Sequence, residues 1–249
     1  MIAVRSDEEL AIIRKAGRIL ARIMQQVIKN SVRSGKTTKE IDELAYRLIE
    51  EAGAEPAFLN YRGYPATICT SINEEVVHGI PSSRKLVEGD IVSLDLGLRY
   101  QGFYVDMAIT VGVGKVSSQA NKLIKVTQKA LEKGIYFARQ GYRVGDISST
   151  IQQFVESHKF SVVRQFVGHG IGKNLHEEPE IPNFGKPCSG PVLEAGMVLA
   201  IEPMVNYGSW ECEILSDGWT AVTKDRSLSA HFEHTVIVGI KKPEVVTCL

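Results

Sequence analysis

A weak internal repeat constrains the 249-residue chain more than any other feature. The segment Gly35 to Glu50 matches Gly141 to Glu156 at an offset of 106, with Glu40, Ile41, Leu48, Ile49 and Glu50 opposite Asp146, Ile147, Phe154, Val155 and Glu156. At nearly the same spacing, Gly89-Asp90-Ile91-Val92-Ser93-Leu94-Asp95 aligns with Gly196-Met197-Val198-Leu199-Ala200-Ile201-Glu202. After an insertion, Asp106 to Gly112 aligns with Glu233 to Gly239. Such self-similarity reads as a duplicated unit. Each half carries an acid at the end of one apolar run and another at the start of the next. Two related helix-helix-strand-strand halves, about 35–113 and 141–240, therefore bring four carboxylates together. No Pro-rich or low-complexity linker divides them, so a single domain over 1–249 is expected.

Local patterns fill in the elements. Ser6 with Glu9, and Thr37 with Glu40, have capping-box spacing ahead of apolar residues at helical intervals, and Gly53 supplies a stop. Two more helices are expected at roughly 119–139 and 146–158. Strands are expected at Asp90–Leu98, Phe103–Val113, Met197–Ile201 and Phe232–Ile240. The fold class is mixed α and β.

Four acids in a protected site repel one another and resist ionisation unless a cation neutralises them. Two divalent ions balance the four charges of Asp95, Asp106, Glu202 and Glu233. Gly168-His169-Gly170 offers an imidazole on a backbone that tolerates close approach. One nitrogen among oxygens suits Mn, Fe, Co or Zn in a catalytic site rather than a closed structural zinc. Paired ions of this kind activate water in aminopeptidases and phosphatases alike. His78 and His176, both in Gly- and Pro-rich loops, are candidates for proton transfer. His158, at the end of the fourth helix, suits the helix dipole and receives no function. Strand alternation puts His231 on the side of Glu233, making it a candidate neighbour of the ligands.

Lys plus Arg and Asp plus Glu both number 29, so the charge balance favours neither nucleic acid nor an anionic membrane. The scattered Cys69, Cys188, Cys212 and Cys248 suit reduced thiols. Without a signal-like N-terminus or a run of about 18 apolar residues, a cytoplasmic location is expected.

The segments Tyr61-Arg62-Gly63-Tyr64-Pro65, Ser71-Ile72-Asn73-Glu74 through His78-Gly79-Ile80-Pro81, Gly168 to Gly172 with His176-Glu177-Glu178-Pro179, Ile201-Glu202-Pro203 and Glu233-His234-Thr235 resemble the ordered signatures of type I methionine aminopeptidases of the bacterial kind. The resemblance spans essentially the whole chain. It implies a pita-bread fold with an antiparallel-rich central sheet. Asp95, Asp106, His169, Glu202 and Glu233 would be ligands of two divalent metals, with a bridging hydroxide attacking the first peptide bond of a nascent chain. By the same resemblance His176 stabilises the oxyanion, His78 contacts the scissile amide nitrogen, and Glu202 handles the nucleophile's proton. Phe58, Tyr61, Tyr64, Cys69, Leu175 and Trp219 would form the methionine pocket. A transient ribosome contact follows from the nascent substrate; a monomer with no nucleic-acid sequence preference is the default expectation.

Phe58, Leu175 and His231 stand where Cys, Phe and Gln are common in that family. The competing readings are a related Xaa-Pro peptidase, a non-catalytic protein on the same fold, and a two-metal phosphatase, against which the apolar pocket and the missing basic cluster speak.

Overall fold

In a computed structural model describing residues 2–248, the two expected capping boxes open two long helices, α1 (Asp7–Ser31) and α2 (Thr38–Glu51). Ser6 and Thr37 each accept a backbone N–H three residues on, while Glu9 and Glu40 return the bond, which satisfies donors that a helix leaves bare at its start. The second pair of helices, α3 (Ser118–Ile135) and α4 (Val144–Ser157), is shifted by a few residues from the pattern-based expectation. α1 and α2 bury one face against the strands Ile91–Tyr100 and Phe103–Gly112; α3 and α4 do the same for the second half. Ile13, Leu20, Ile41 and Ile49 are fully buried there, each contributing about 1.5–3 kcal/mol of apolar burial.

The duplication extends to the backbone. α2 and α4 have the same length and are offset by 106 at both ends. Ahead of them Gly35 (φ 89°) and Gly141 (φ 88°) turn in the left-handed region, and behind them Gly53 (φ 68°) and Lys159 (φ 65°) do so. Gly35 N–H donates to the Leu86 carbonyl and Gly141 N–H to that of Leu193, at 2.8 and 2.9 Å. The reciprocal bonds, Leu86 to Lys36 and Leu193 to Tyr142, are both 2.8 Å.

Strands of both halves share one nine-stranded antiparallel sheet. Its middle runs Ile91–Tyr100, Phe103–Gly112, Glu233–Ile237, Val198–Ile201, Gly168–Gly170, Glu177–Ile181. The halves therefore meet between Phe103–Gly112 and Glu233–Ile237, where Glu233 lies opposite Ala108. Two three-stranded sheets flank this one, among them Ser161–Val162, Met204–Asn206 and Ser229–His231. None of the described helices is long and apolar enough to cross a membrane.

Candidate active site

Register alone collects the five expected donors. Residues directly opposite on neighbouring strands point to the same face, as do residues two apart along one strand. Asp95 and Glu233 both oppose Ala108, so they flank it. Asp106 is two residues from Ala108 and shares that face. His169 and Thr235 both oppose Ala200, and Glu202 follows two residues later. Asp95 and Asp106 thus lie within ten-residue strands rather than at the end of one run and the start of the next. Facing the junction of the halves, they are buried on both sides.

The glycines beside His169 are required by the close approach of neighbouring strands. A Cβ at Gly168 would stand 2.4 Å from the Ala200 carbonyl oxygen, and one at Gly170 2.1 Å from that of Glu178. His169 Nδ1 donates to the Gly170 carbonyl at 2.9 Å, which leaves the Nε2 lone pair free. Nε2 lies 3.7 Å from Asp106 Oδ2 and 3.6 Å from Glu202 Oε1. Donor atoms of Asp106, His169 and Glu233 all fall within 4.8 Å of one another. Asp106 is held further by Thr235 Oγ1, which accepts its N–H at 3.1 Å and donates to its carbonyl at 2.8 Å.

These acids sit uneasily without a counter-charge. Burial pushes Asp95 up to about 8, with His231 opposing and Asp106 and Glu202 adding to the rise. Glu202 is likewise raised to about 8 by burial, against the pull of His169. Burial also raises Asp106, and raises Glu233 well above the carboxylate range, the neighbouring acids adding to the effect on Glu233. Asp95 Oδ1 is buried without a hydrogen-bond partner, a cost that coordination to a cation would remove. The orphaned oxygen, the clustered donors and the one-nitrogen, oxygen-rich set all fit divalent metal.

One cleft contains the five donors, His78, His176, and Phe58, Tyr61, Tyr64, Cys69, Leu175 and Trp219, while His231 is not part of its lining. The His176 ring stacks on Tyr61 at 5.2 Å, and its Nδ1 is 2.8 Å from the Tyr61 hydroxyl. A Tyr61 O–H donated to Nδ1 places the imidazole proton on Nε2. Desolvation in the cleft, then the neighbouring His169, lowers His176 to about 3, so the ring is a neutral donor at pH 7. His78, at φ 61°, lies edge-on to Phe166 and Trp219, and burial lowers it to about 4.

The pocket wall is apolar. Cys69 pairs with Asp95 across the sheet, and burial holds its thiol well above its usual range, so it remains protonated. Tyr64 turns its hydroxyl away to the Gly79 carbonyl at 3.0 Å and meets Trp219 edge-on. Asp217 fixes Trp219 by accepting its backbone N–H at 2.8 Å. Phe58 packs over Gly97, where a Cβ would stand 2.8 Å from its ring.

Arg62, Val77, Phe166 and Val167 also line the cleft and were not singled out from the sequence. Arg62 carried a signal only within the Tyr61–Pro65 motif; Phe166 and Val167 lie in an irregular stretch without periodicity. His158 caps α4, its Nδ1 2.8 Å from the Phe154 carbonyl oxygen, as its position implied. His231 reaches the acids from a different sheet than the alternation argument assumed: it ends the strand Ser229–His231, and the chain changes sheets at Phe232.

Residues 11–239 match metallopeptidase family M24. The chain is 50% identical to the methionine aminopeptidase of Clostridium perfringens over the full length of both. Its structure superposes on the crystal structure of methionine aminopeptidase from Thermotoga maritima with a TM-score of 0.97 at 44% identity, covering all of each chain. A prolidase from Pyrococcus horikoshii shares the fold, with a TM-score of 0.79, but only 22% identity, and the match covers 98% of this chain and 63% of the prolidase.

Proposed function

The chain belongs to metallopeptidase family M24, and from that premise we propose how its cleft carries out the reaction. The activity is that of a methionine aminopeptidase, a hydrolase acting on the N-terminal methionine of peptides. What supports a site assignment is that the buried acid and imidazole cluster opens directly onto the Cys69, Tyr64 and Trp219 wall. The one cleft offers both a cation site and a surface suited to a thioether.

Asp95, Asp106, His169, Glu202 and Glu233 would hold two divalent ions, with Mn, Fe, Co and Zn all compatible with the donor set. When bound, such ions neutralise the acids and make water nucleophilic near neutral pH. The residues supply the rest. The methionine side chain lies against Phe58, Tyr61, Tyr64, Cys69, Leu175 and Trp219, which orients the first peptide bond over the acids. Neutral His176 donates Nε2–H toward the carbonyl oxygen as negative charge develops there. His78 contacts the scissile amide from the Phe166 side. Glu202 takes the nucleophile's proton and passes it to the leaving amine. Tyr61 keeps His176 in the donating tautomer.

We read residues 1–249 as one catalytic unit, because strands of both halves share the sheet that carries the acids. The substrates are N-terminal Met peptides of nascent chains, met in the cytoplasm by a monomer in transient contact with the ribosome, without nucleic-acid specificity and without a membrane.

A peptide panel tests the assignment against the Xaa-Pro alternative. With metal supplied, Met-Ala-Ser is expected to release free methionine, whereas formyl-Met-Ala-Ser and Ala-Pro peptides are left intact. Cleavage confined to the proline peptides would overturn the reading.

A further inference from the structure

His231 has no place in the mechanism above, yet its surroundings are those of a working group. It is 1% exposed, and neither Nδ1 nor Nε2 has a hydrogen-bond partner of good geometry. A buried imidazole left unpaired is destabilising, so a ring serving only to fill space would be better replaced by an apolar one. A carboxylate oxygen lies close, Glu202 Oε2 at 3.4 Å from Nε2, and Asp95 and Asp106 are near enough for their charges to act on the ring.

The backbone around this contact is pinned. His231 N–H donates to Thr110 Oγ1 at 2.8 Å, and the same hydroxyl donates to the His231 carbonyl at 2.9 Å. His231 pairs with Met204, two residues beyond Glu202, and Phe232 N–H donates to the Pro203 carbonyl at 3.3 Å. Asn183 Nδ2 donates to the Glu202 carbonyl at 3.0 Å. Both partners are thus held in place, and only their side chains remain to close the gap.

Glu202 lies between two imidazoles, one for each oxygen: Oε1 faces His169 and Oε2 faces His231. His169 has its proton committed to the Gly170 carbonyl, so its Nε2 has no proton to donate. We infer that His231 is a positioning residue, donating Nε2–H to Glu202 Oε2 and so fixing the orientation of this carboxylate toward the metals. A carboxylate so fixed keeps one oxygen for coordination and the other for the hydrogen bond.

This inference rests on the metal-site assignment proposed above. Its test compares His231→Leu and His231→Gln with the unaltered protein, using calorimetric Mn titration of metal-stripped protein and steady-state kinetics on Met-Ala-Ser. Loss of an outer hydrogen-bond partner lowers metal affinity or activity by about 10–100-fold. His231→Leu is therefore expected to weaken Mn binding and lower kcat within that range, with KM little changed. His231→Gln, which keeps an N–H donor, is expected to recover most of both. Thermal unfolding of the metal-free proteins checks folding; should the leucine variant not fold, His231→Asn and His231→Gln carry the comparison.

Wild-type Mn affinity and kcat in His231→Leu, or a glutamine variant no better than leucine, would overturn the inference while leaving the metal site standing. Nitrogen couplings from two imidazoles to bound Mn would replace positioning by direct ligation. Failure of the unaltered protein to bind Mn at all would instead sink the underlying site assignment, and the inference with it.

Discussion

Replacing His176 by alanine is expected to lower kcat/KM on Met-Ala-Ser by about 10²–10³-fold, the usual cost of losing one donor to a developing oxyanion. The ring is exposed to the cleft and packs against Tyr61 and the His169 ring, so the change leaves the fold and the acid cluster intact. Mn affinity in the same variant should stay near the wild-type value, and the loss should fall chiefly on kcat. Tyr61→Phe gives a milder version, because it removes the tautomer control and keeps the stack. An unchanged rate in the alanine variant would remove His176 from the mechanism.

The opposite pattern is expected for Glu233→Gln. Glu233 sits at the junction of the two halves, 2% exposed and beside Asp106, where burial and the neighbouring acids all disfavour its charge. Withdrawing one charge from a buried ionic set costs about 3–5 kcal/mol, so Mn binding is expected to weaken about a thousandfold and turnover to vanish with it. Without metal, the sign reverses. The raised carboxylate pKa values mean that ionising these acids above the normal carboxylate range destabilises the metal-free fold, an effect that grows as pH rises toward about 8. Metal-free Glu233→Gln should therefore unfold at a higher temperature than metal-free wild type at pH 7, by about 2–4 °C for each kcal/mol relieved. A variant that is less stable without metal and normal in Mn affinity would mean that Glu233 is structural.

These two results separate what the sequence displays from what only the packing supplies. The acids were legible because duplication sets carboxylate opposite carboxylate, and the repeat is physical: Gly35 and Gly141 turn alike, and α2 and α4 share boundaries at one offset. Helix starts were legible because a capping box is local chemistry. Strand ends were less so. Asp95 reads as the end of an apolar run, yet the strand continues through Leu98 to Tyr100, since the sheet rather than the hydrophobic run sets its length. Alternation within a single strand put His231 on the side of Glu233, but its contact with Glu202 arises where the chain changes sheets, and no one-dimensional period encodes that. Arg62 and Phe166 reach the cleft from irregular backbone, where side-chain direction depends on tertiary packing.

If these acids and His169 form a metal site, methionine release depends on the ions they hold. The most direct measurement titrates metal-stripped protein with Mn, and in parallel with Fe, Co and Zn, while following free methionine from Met-Ala-Ser. No release is expected without metal, and turnover should rise with added ion and be complete by two equivalents per chain. Full turnover in rigorously stripped protein, or none with any of the four ions in folded protein, would contradict it.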